Sequence, residues 1–286
     1  MQKKQWYGLF VDSFYNKEGG FIFLFMLLAM IANISVEALK WKYLVRNNDI
    51  SFSTSLIAVF SGISAGLITP HGIGDYIGRI LFLNPDKRIE NIGSVLFSRV
   101  AQLCITCLTG VVATIYFCLF IEFDNKVLVA LILAFCSLFV IYGLWQFRTF
   151  LLDTMKRIPV IKNIEVWFEQ LRLYSNRVFV VTLFFSALRY FIFLSQFVCL
   201  LLFFKVELPL MLLVIGAVFT FFIKSVVPTF FDLGVRELAA IFFFSRYAID
   251  DTHVLSASIG LWVFNLLIPA IIGLFCMLNV NYTKQS

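Results

Sequence analysis

Seven charged side chains stand within or beside long apolar stretches of this chain: Asp75, Arg79, Arg99, Arg189, Asp232, Arg236 and Glu237. In hydrocarbon an unpaired charge costs on the order of 2.5 to 3.5 kcal/mol on insertion scales, so such groups are expected to face inward, pair, and mark a polar path. Asp75 and Arg79 have the spacing that puts two side chains on one helical face, and Asp232 with Arg236 repeats it. Each pair follows a helix breaker. Pro70, His71 and Gly74 precede the first pair, Pro228 precedes the second, and Gly234 sits inside it. A helix restarting after Pro70 or Pro228 would aim free N–H groups into the gap, which suits an anion, and nearby arginines would add forked donors for phosphate. Two readings of the pairs stand: they neutralise each other to close a helix contact, or they touch an anionic head group. His71 adds an imidazole that titrates near neutrality, or serves as a hydrogen-bonded turn residue.

The elements that must position these groups are membrane helices. Of 286 residues, 61% are hydrophobic, 14% are charged and 35 are Phe, far from the balance of a soluble domain. The apolar runs do not alternate, which favours helices over a barrel, and the fold class is an all-α polytopic membrane protein. Confident spans are 21–44, 94–120, 127–147, 178–204 and 254–278. Between them, 53–83 and 208–244 are apolar but broken by Pro and Gly, so each half is too short to cross comfortably. Such segments are re-entrant hairpins or pairs of short helices, and their unpaired backbone must face protein or water.

The six cysteines lie in apolar segments and read as small hydrophobes, with no metal site implied by Cys104 and Cys107. The net charge of +6 sits between spans, where anionic lipid is a nearer partner than nucleic acid. Residues 148–177 mix cations with Ile164, Trp167, Phe168 and Leu171 and read as an amphipathic surface helix split near Pro159. The first twenty residues are read in the same way. Lys40, Lys42 and Arg46 are expected to snorkel to the membrane surface, with Trp41 and Tyr43 at the interface.

The two halves share an order of features. Ala38-Leu39-Lys40-Trp41 parallels Ala187-Leu188-Arg189-Tyr190, and each is followed by a polar loop, an apolar run, a proline, an acid with glycine, an arginine and a long span. This predicts an internal duplication within one transmembrane domain over 1–286: repeat 1 at 21–121, a linking helix and connector at 122–177, and repeat 2 at 178–280. With both breaks re-entrant, the basic segments 40–49, 84–90 and 148–177 fall on one side, which the positive-inside rule places in the cytoplasm. The repeats are then inverted and the N-terminus is external, although Lys3 and Lys4 argue the other way. Inverted repeats with broken helices in matching places are the layout of alternating-access transporters.

No zinc-protease motif and no phosphate-binding glycine loop with its lysine occurs, and no soluble stretch is long enough for a nucleotide-binding domain. The chain is therefore expected not to be an enzyme.

Pro70, Gly74, Asp75 and Arg79, followed by Ser98-Arg99, and then Pro228 with Leu233-Gly234-Val235-Arg236-Glu237, resemble the lysylphosphatidylglycerol synthetase transmembrane-region family. The resemblance covers about 21–278. It implies a flippase-like bacterial inner-membrane protein that moves a phospholipid or polyisoprenoid-linked lipid between leaflets with no cofactor. Arg79, Arg99 and Arg236 would hold phosphate while Asp75 and Glu237 balance charge. Members usually carry Glu where this chain has Asp75, and Trp262 falls near the counterpart of Arg99. The soluble aminoacyl-transfer domain of two-part members is missing from this sequence. The alternative is a non-transporting membrane subunit that anchors a lipid- or glycan-modifying enzyme.

Overall fold

The computed structural model describes residues 17–69, 72–120, 146, 165–227 and 233–278, and among these every regular element is helical. Four stretches are long and apolar enough to cross a membrane: Gly19–Leu44, Ile89–Ala113, Asn176–Phe203 and Asp251–Leu278. The expected span at 127–147, apart from Gln146, lies outside the described residues, as do the surface segments at 1–16 and 148–164.

Nine α-helices among the described residues carry the argument. They are α1 (Lys17–Leu44), α2 (Phe52–Leu67), α3 (Gly74–Ile80), α4 (Ile92–Phe120), α5 (Asn176–Phe203), α6 (Leu210–Val226), α7 (Val235–Phe244), α8 (Asp251–Trp262) and α9 (Ile268–Leu278). At 1.5 Å per residue, α2 and α6 reach only about 25 Å and α3 and α7 about 10–15 Å. The Pro/Gly breaks thus split each expected segment into a longer and a shorter helix, which pack together as α2 on α3 and α6 on α7.

Local chemistry sets the boundaries. Ser51 caps α2 by accepting from the Thr54 amide at 3.1 Å, and Asp250 caps α8 by accepting from the Thr252 amide at 2.8 Å. That same hydrogen bond holds the exposed Asp250 carboxyl below its ordinary pKa. The last span is not one uniform helix. A π-helical turn, Val263–Leu267, joins α8 to α9 just before Pro269, whose missing N–H cannot continue the regular ladder.

The packing pairs exchange under the correspondence α1 with α5, α2 with α6, α3 with α7, and α4 with α8 and α9. Helices α1 and α5 pack on each other, α2 packs on α9, and α4 packs on α6. Both crossings lie at a glycine. Gly273 of α9 sits against Phe60 and Ser64 of α2, while a Cβ on Gly110 of α4 would meet the Phe222 ring of α6 at 2.5 Å. One apolar cluster centres on Phe197, Leu200, Leu213, Phe243 and Leu261, and another on Trp41, Val59, Leu83 and Val95. Small residues let helices approach where lipid supplies no hydrophobic drive.

The connector differs from expectation. Its described end is a 3-10 turn, Glu165–Phe168, and a single α turn, Glu169–Arg172. It packs on the start of α4, where Gly93 lies beneath the backbone of Trp167 and Phe168. Tyr174 follows and donates to the Leu44 carbonyl or Ser94, at 3.0 and 2.7 Å, and burial pushes its phenol pKa up.

Candidate functional site

The first break is built on four glycines. Gly62 and Gly66 on α2 face Gly74 and Gly78 on α3, and a Cβ on Gly78 would meet the Ser61 carbonyl at 2.6 Å and Gly62 Cα at 2.7 Å. The backbones approach closely, and the space above Gly62 is filled by the Asp75 carboxylate and the Arg79 stem. Thr69 ties the break together. Its hydroxyl accepts from the Gly74 amide at 2.7 Å and donates to the Ala65 carbonyl at 2.9 Å.

Asp75 and Arg79 meet as their spacing requires, with Arg79 Nε donating to Asp75 Oδ1 at 2.6 Å. The other carboxylate oxygen accepts from Arg99 of α4, at 3.2 Å from Nε and 2.8 Å from Nη2. Arg99 also donates to the Gly72 carbonyl at 2.9 Å and lies over the Tyr76 ring. The residue that joins this pair to the rest of the protein is Glu37. One of its oxygens takes Arg79 Nη1 at 2.6 Å; the other takes Lys40 at 2.8 Å and Arg189 of α5 at 3.0 Å. Arg189 Nε donates to Asn33 at 2.7 Å, and Asn33 donates to Asn265, in the π-helical turn, at 3.2 Å.

Glu37 and Lys40 were not expected here. Lys40 is not an interfacial anchor: it is 1% exposed, and Trp41 beside it is fully buried. Lys42 and Arg46 are exposed and Tyr43 is half-buried, so only the outer part of that group lies at the helix end. Asn33, Glu37 and Lys40 are spaced i, i+4, i+7 along α1 and so share one face, a signal present in the sequence.

The second break is organised differently. Gly234, at φ 98°, is the N-cap of α7, and its amide donates to Glu237 Oε2 at 2.7 Å. The other Glu237 oxygen accepts Arg236 Nη2 at 2.6 Å and the Ser258 hydroxyl at 2.9 Å. Arg236 Nε reaches the same hydroxyl at 2.8 Å, and Nη2 reaches the Ser258 carbonyl at 3.0 Å. At both breaks an amide at the helix start is therefore taken by a side chain, that of Gly74 by Thr69 and that of the N-cap Gly234 by Glu237. Pro70, His71, Pro228 and Asp232 lie outside the described residues.

A cavity of 540 Å³ connects the two sets of charges. Glu37, Asp75, Arg79 and Arg99 line it from the first half, and Arg189, Lys224 and Arg236 from the second. Phe193 and Phe221 add apolar wall. A mostly cationic chamber with an apolar side fits an amphiphile whose polar end is anionic.

The sequence also contains Gly62-Ile63-Ser64-Ala65-Gly66, the Gly-x-Ser-x-Gly spacing of hydrolase nucleophiles. That chemistry needs a strand–turn–helix elbow that exposes the hydroxyl. Ser64 instead lies inside α2, and its hydroxyl donates to the Ala270 carbonyl at 2.5 Å and reaches the Phe60 carbonyl at 3.1 Å. It is a packing residue between α2 and α9.

Helices of spanning length, two broken pairs and buried ion pairs around an internal cavity define a multi-pass α-helical membrane protein with a polar interior. The family model of the lysylphosphatidylglycerol synthase TM region matches residues 12–273, and the chain belongs to that family. Comparison with curated proteins and with solved structures gives no match.

Proposed function

We propose that the chain is a flippase-like protein of the bacterial cytoplasmic membrane that passes a lipid head group between leaflets through this cavity. The observation that carries the reading is the cavity itself, lined by charges from both broken helix pairs and by side chains of the two central helices, α1 and α5. Broken helices at matching places around a midplane site are how inverted-repeat transporters build a path. Two further observations support the duplication behind it. The packing pairs exchange between halves. Lys40 and Arg189, which occupy matching places in the four-residue repeat, both end on the same Glu37 oxygen, at 2.8 and 3.0 Å. In this reading the repeats are inverted, each break is re-entrant, and the chain makes and breaks no covalent bond.

Liposomes containing the purified full chain and a trace of fluorescent phospholipid test this. Parent protein should expose inner-leaflet probe to an external quencher, and Arg79→Ala combined with Arg236→Ala should abolish that exposure. Because both arginines also pack the breaks, Arg99→Ala, with its folding checked by thermal melting, is the second variant. Parent liposomes that behave like protein-free ones would overturn the proposal, and a transferase co-purifying in stoichiometric amount would then favour the anchoring subunit.

A further inference from the structure

The last apolar span changes partners partway along. Its first part, α8, packs on α5 and α7, its second part, α9, packs on α2, and the π-helical turn between them lies against α1. Glycines mark both dockings. Gly260 of α8 faces Leu200 and Phe204 of α5, and Gly273 of α9 faces Phe60 and Ser64 of α2. The Ser64 hydroxyl donates to the Ala270 carbonyl at 2.5 Å and so ties α9 to α2 just beyond Pro269.

The turn is specified at Asn265. In a regular α-helix the N–H of residue 269 bonds the carbonyl of residue 265, and proline has no N–H to give. The chain takes the wider register instead, with the Ile268 N–H on the Val263 carbonyl. Asn265 is 7% exposed and stands in the cavity wall. Its Nδ2 donates to the Leu261 carbonyl of its own span at 3.3 Å, and its Oδ1 accepts from Asn33 of α1 at 3.2 Å. Asn33 in turn accepts from Arg189 Nε at 2.7 Å, while Arg189 Nη1 donates to Glu37 at 3.0 Å. Asn33 is 2% exposed, so bulk water does not replace Asn265 when that contact is lost.

We propose that Asn265 is a positioning residue for the cavity: through Asn33 it sets the direction of the Arg189 guanidinium, and the π-helical turn makes that direction follow how α9 sits on α2. The assignment rests on reading the cavity as a lipid path, in which Arg189 is one of the cations that meet the head group. Glu37 fixes one point of the planar guanidinium and leaves it free to pivot; the Nε contact to Asn33 fixes its plane. A return of the turn to the α register would rotate Asn265 by about 100° around the helix axis and carry its amide away from Asn33. Coupling through a packed interior needs an element with two discrete arrangements, and the π and α registers supply them.

Arginine labelling with phenylglyoxal, read by peptide mass spectrometry on the full chain in detergent, reports on the guanidinium with no lipid added. Arg189 is 25% exposed and lines the cavity, so the reagent can enter to it. Asn265→Ala should raise the Arg189 labelling rate about fivefold, the factor that corresponds to a neutral hydrogen bond of about 1 kcal/mol. The exposed Arg46 and Arg177 should keep their rates. Asn265→Asp keeps the acceptor that Asn33 uses and gives up the donor to Leu261, so it should return Arg189 close to the parent rate. Ser64→Ala, which unties α9 from α2, should also raise the rate, and should add nothing on top of Asn265→Ala. If Asn265→Ala fails to melt cooperatively, Asn265→Leu, which conserves volume, takes its place. An unchanged Arg189 rate in a folded variant overturns the inference, as does an equal rise at Arg99 and Arg236, or additive effects of Ser64→Ala and Asn265→Ala. A parent chain that scrambles no lipid but shows the labelling pattern sinks the flippase reading and keeps this one. Scrambling without the pattern does the reverse.

Discussion

The two helix breaks hold similar residues in unlike ways. At the first, one carboxylate, Glu37, gathers cations from α1, α3 and α5, so the charge network crosses between halves of the molecule. At the second, Glu237 binds the neighbouring Arg236, the amide of its own helix start, and Ser258 of α8, all within one half. The first is a joint and the second is a local clasp. Buried ion pairs add little net stability when intact, but removing one partner strands the others in a low dielectric. The consequence differs with the number stranded.

Glu37→Gln should therefore be the most damaging single change, costing about 3–5 kcal/mol as Lys40, Arg79 and Arg189 lose their common anion. Glu237→Gln should cost less, about 1–3 kcal/mol, because Ser258 still accepts from Arg236. Thermal unfolding of both variants in the same detergent ranks them. Equal losses, or a larger loss at Glu237, would break the distinction between joint and clasp.

The glycines sharpen the same contrast. Gly78 is limited by space, since a Cβ there would stand 2.6 Å from the Ser61 carbonyl; Gly234 has open space but φ of 98°. Gly78→Ala should cost about 1–3 kcal/mol through overpacking of α2 on α3. Gly234→Ala should cost about 1–2 kcal/mol through backbone strain alone. The two are separable by activity: only Gly78→Ala should displace Asp75 and Arg79, and so slow scrambling beyond what its melting temperature explains.

Much of this architecture was legible in the chain. The spans follow from apolar length, and the breaks follow from Pro and Gly inside apolar runs. The Asp75–Arg79 contact follows from helical spacing, because all its determinants are local. Glu37 was not legible in the same way, since its partners lie 42 and 152 residues away and only the folded chain brings α3 and α5 to it. The burial of Lys40 is hidden from the sequence for a related reason. A lysine near the end of an apolar helix can reach water as easily as a carboxylate, and only Glu37 one turn earlier decides between them. The π-helical turn that delivers Asn265 to Asn33 left a trace in Pro269, but a proline alone does not specify which residue the distortion presents.

The smallest effect predicted runs opposite to the largest. Ser258 bridges both members of the second clasp, accepting from Arg236 at 2.8 Å and donating to Glu237 at 2.9 Å. Ser98, its analogue as a hydroxyl beside a buried carboxylate, reaches Glu37 only at 3.5 Å, where three cations already hold the anion. Ser258→Ala should cost about 1–2 kcal/mol, since it removes two charge-assisted contacts from a buried pair. Ser98→Ala should cost no more than about 0.5 kcal/mol, because a contact at the limit of hydrogen-bond length contributes little. The order is thus reversed from that of the carboxylates. If Ser98→Ala instead proves the costlier change, the hydroxyl helps hold Glu37 in place, and the joint depends on α4 as well as on the cations that meet there.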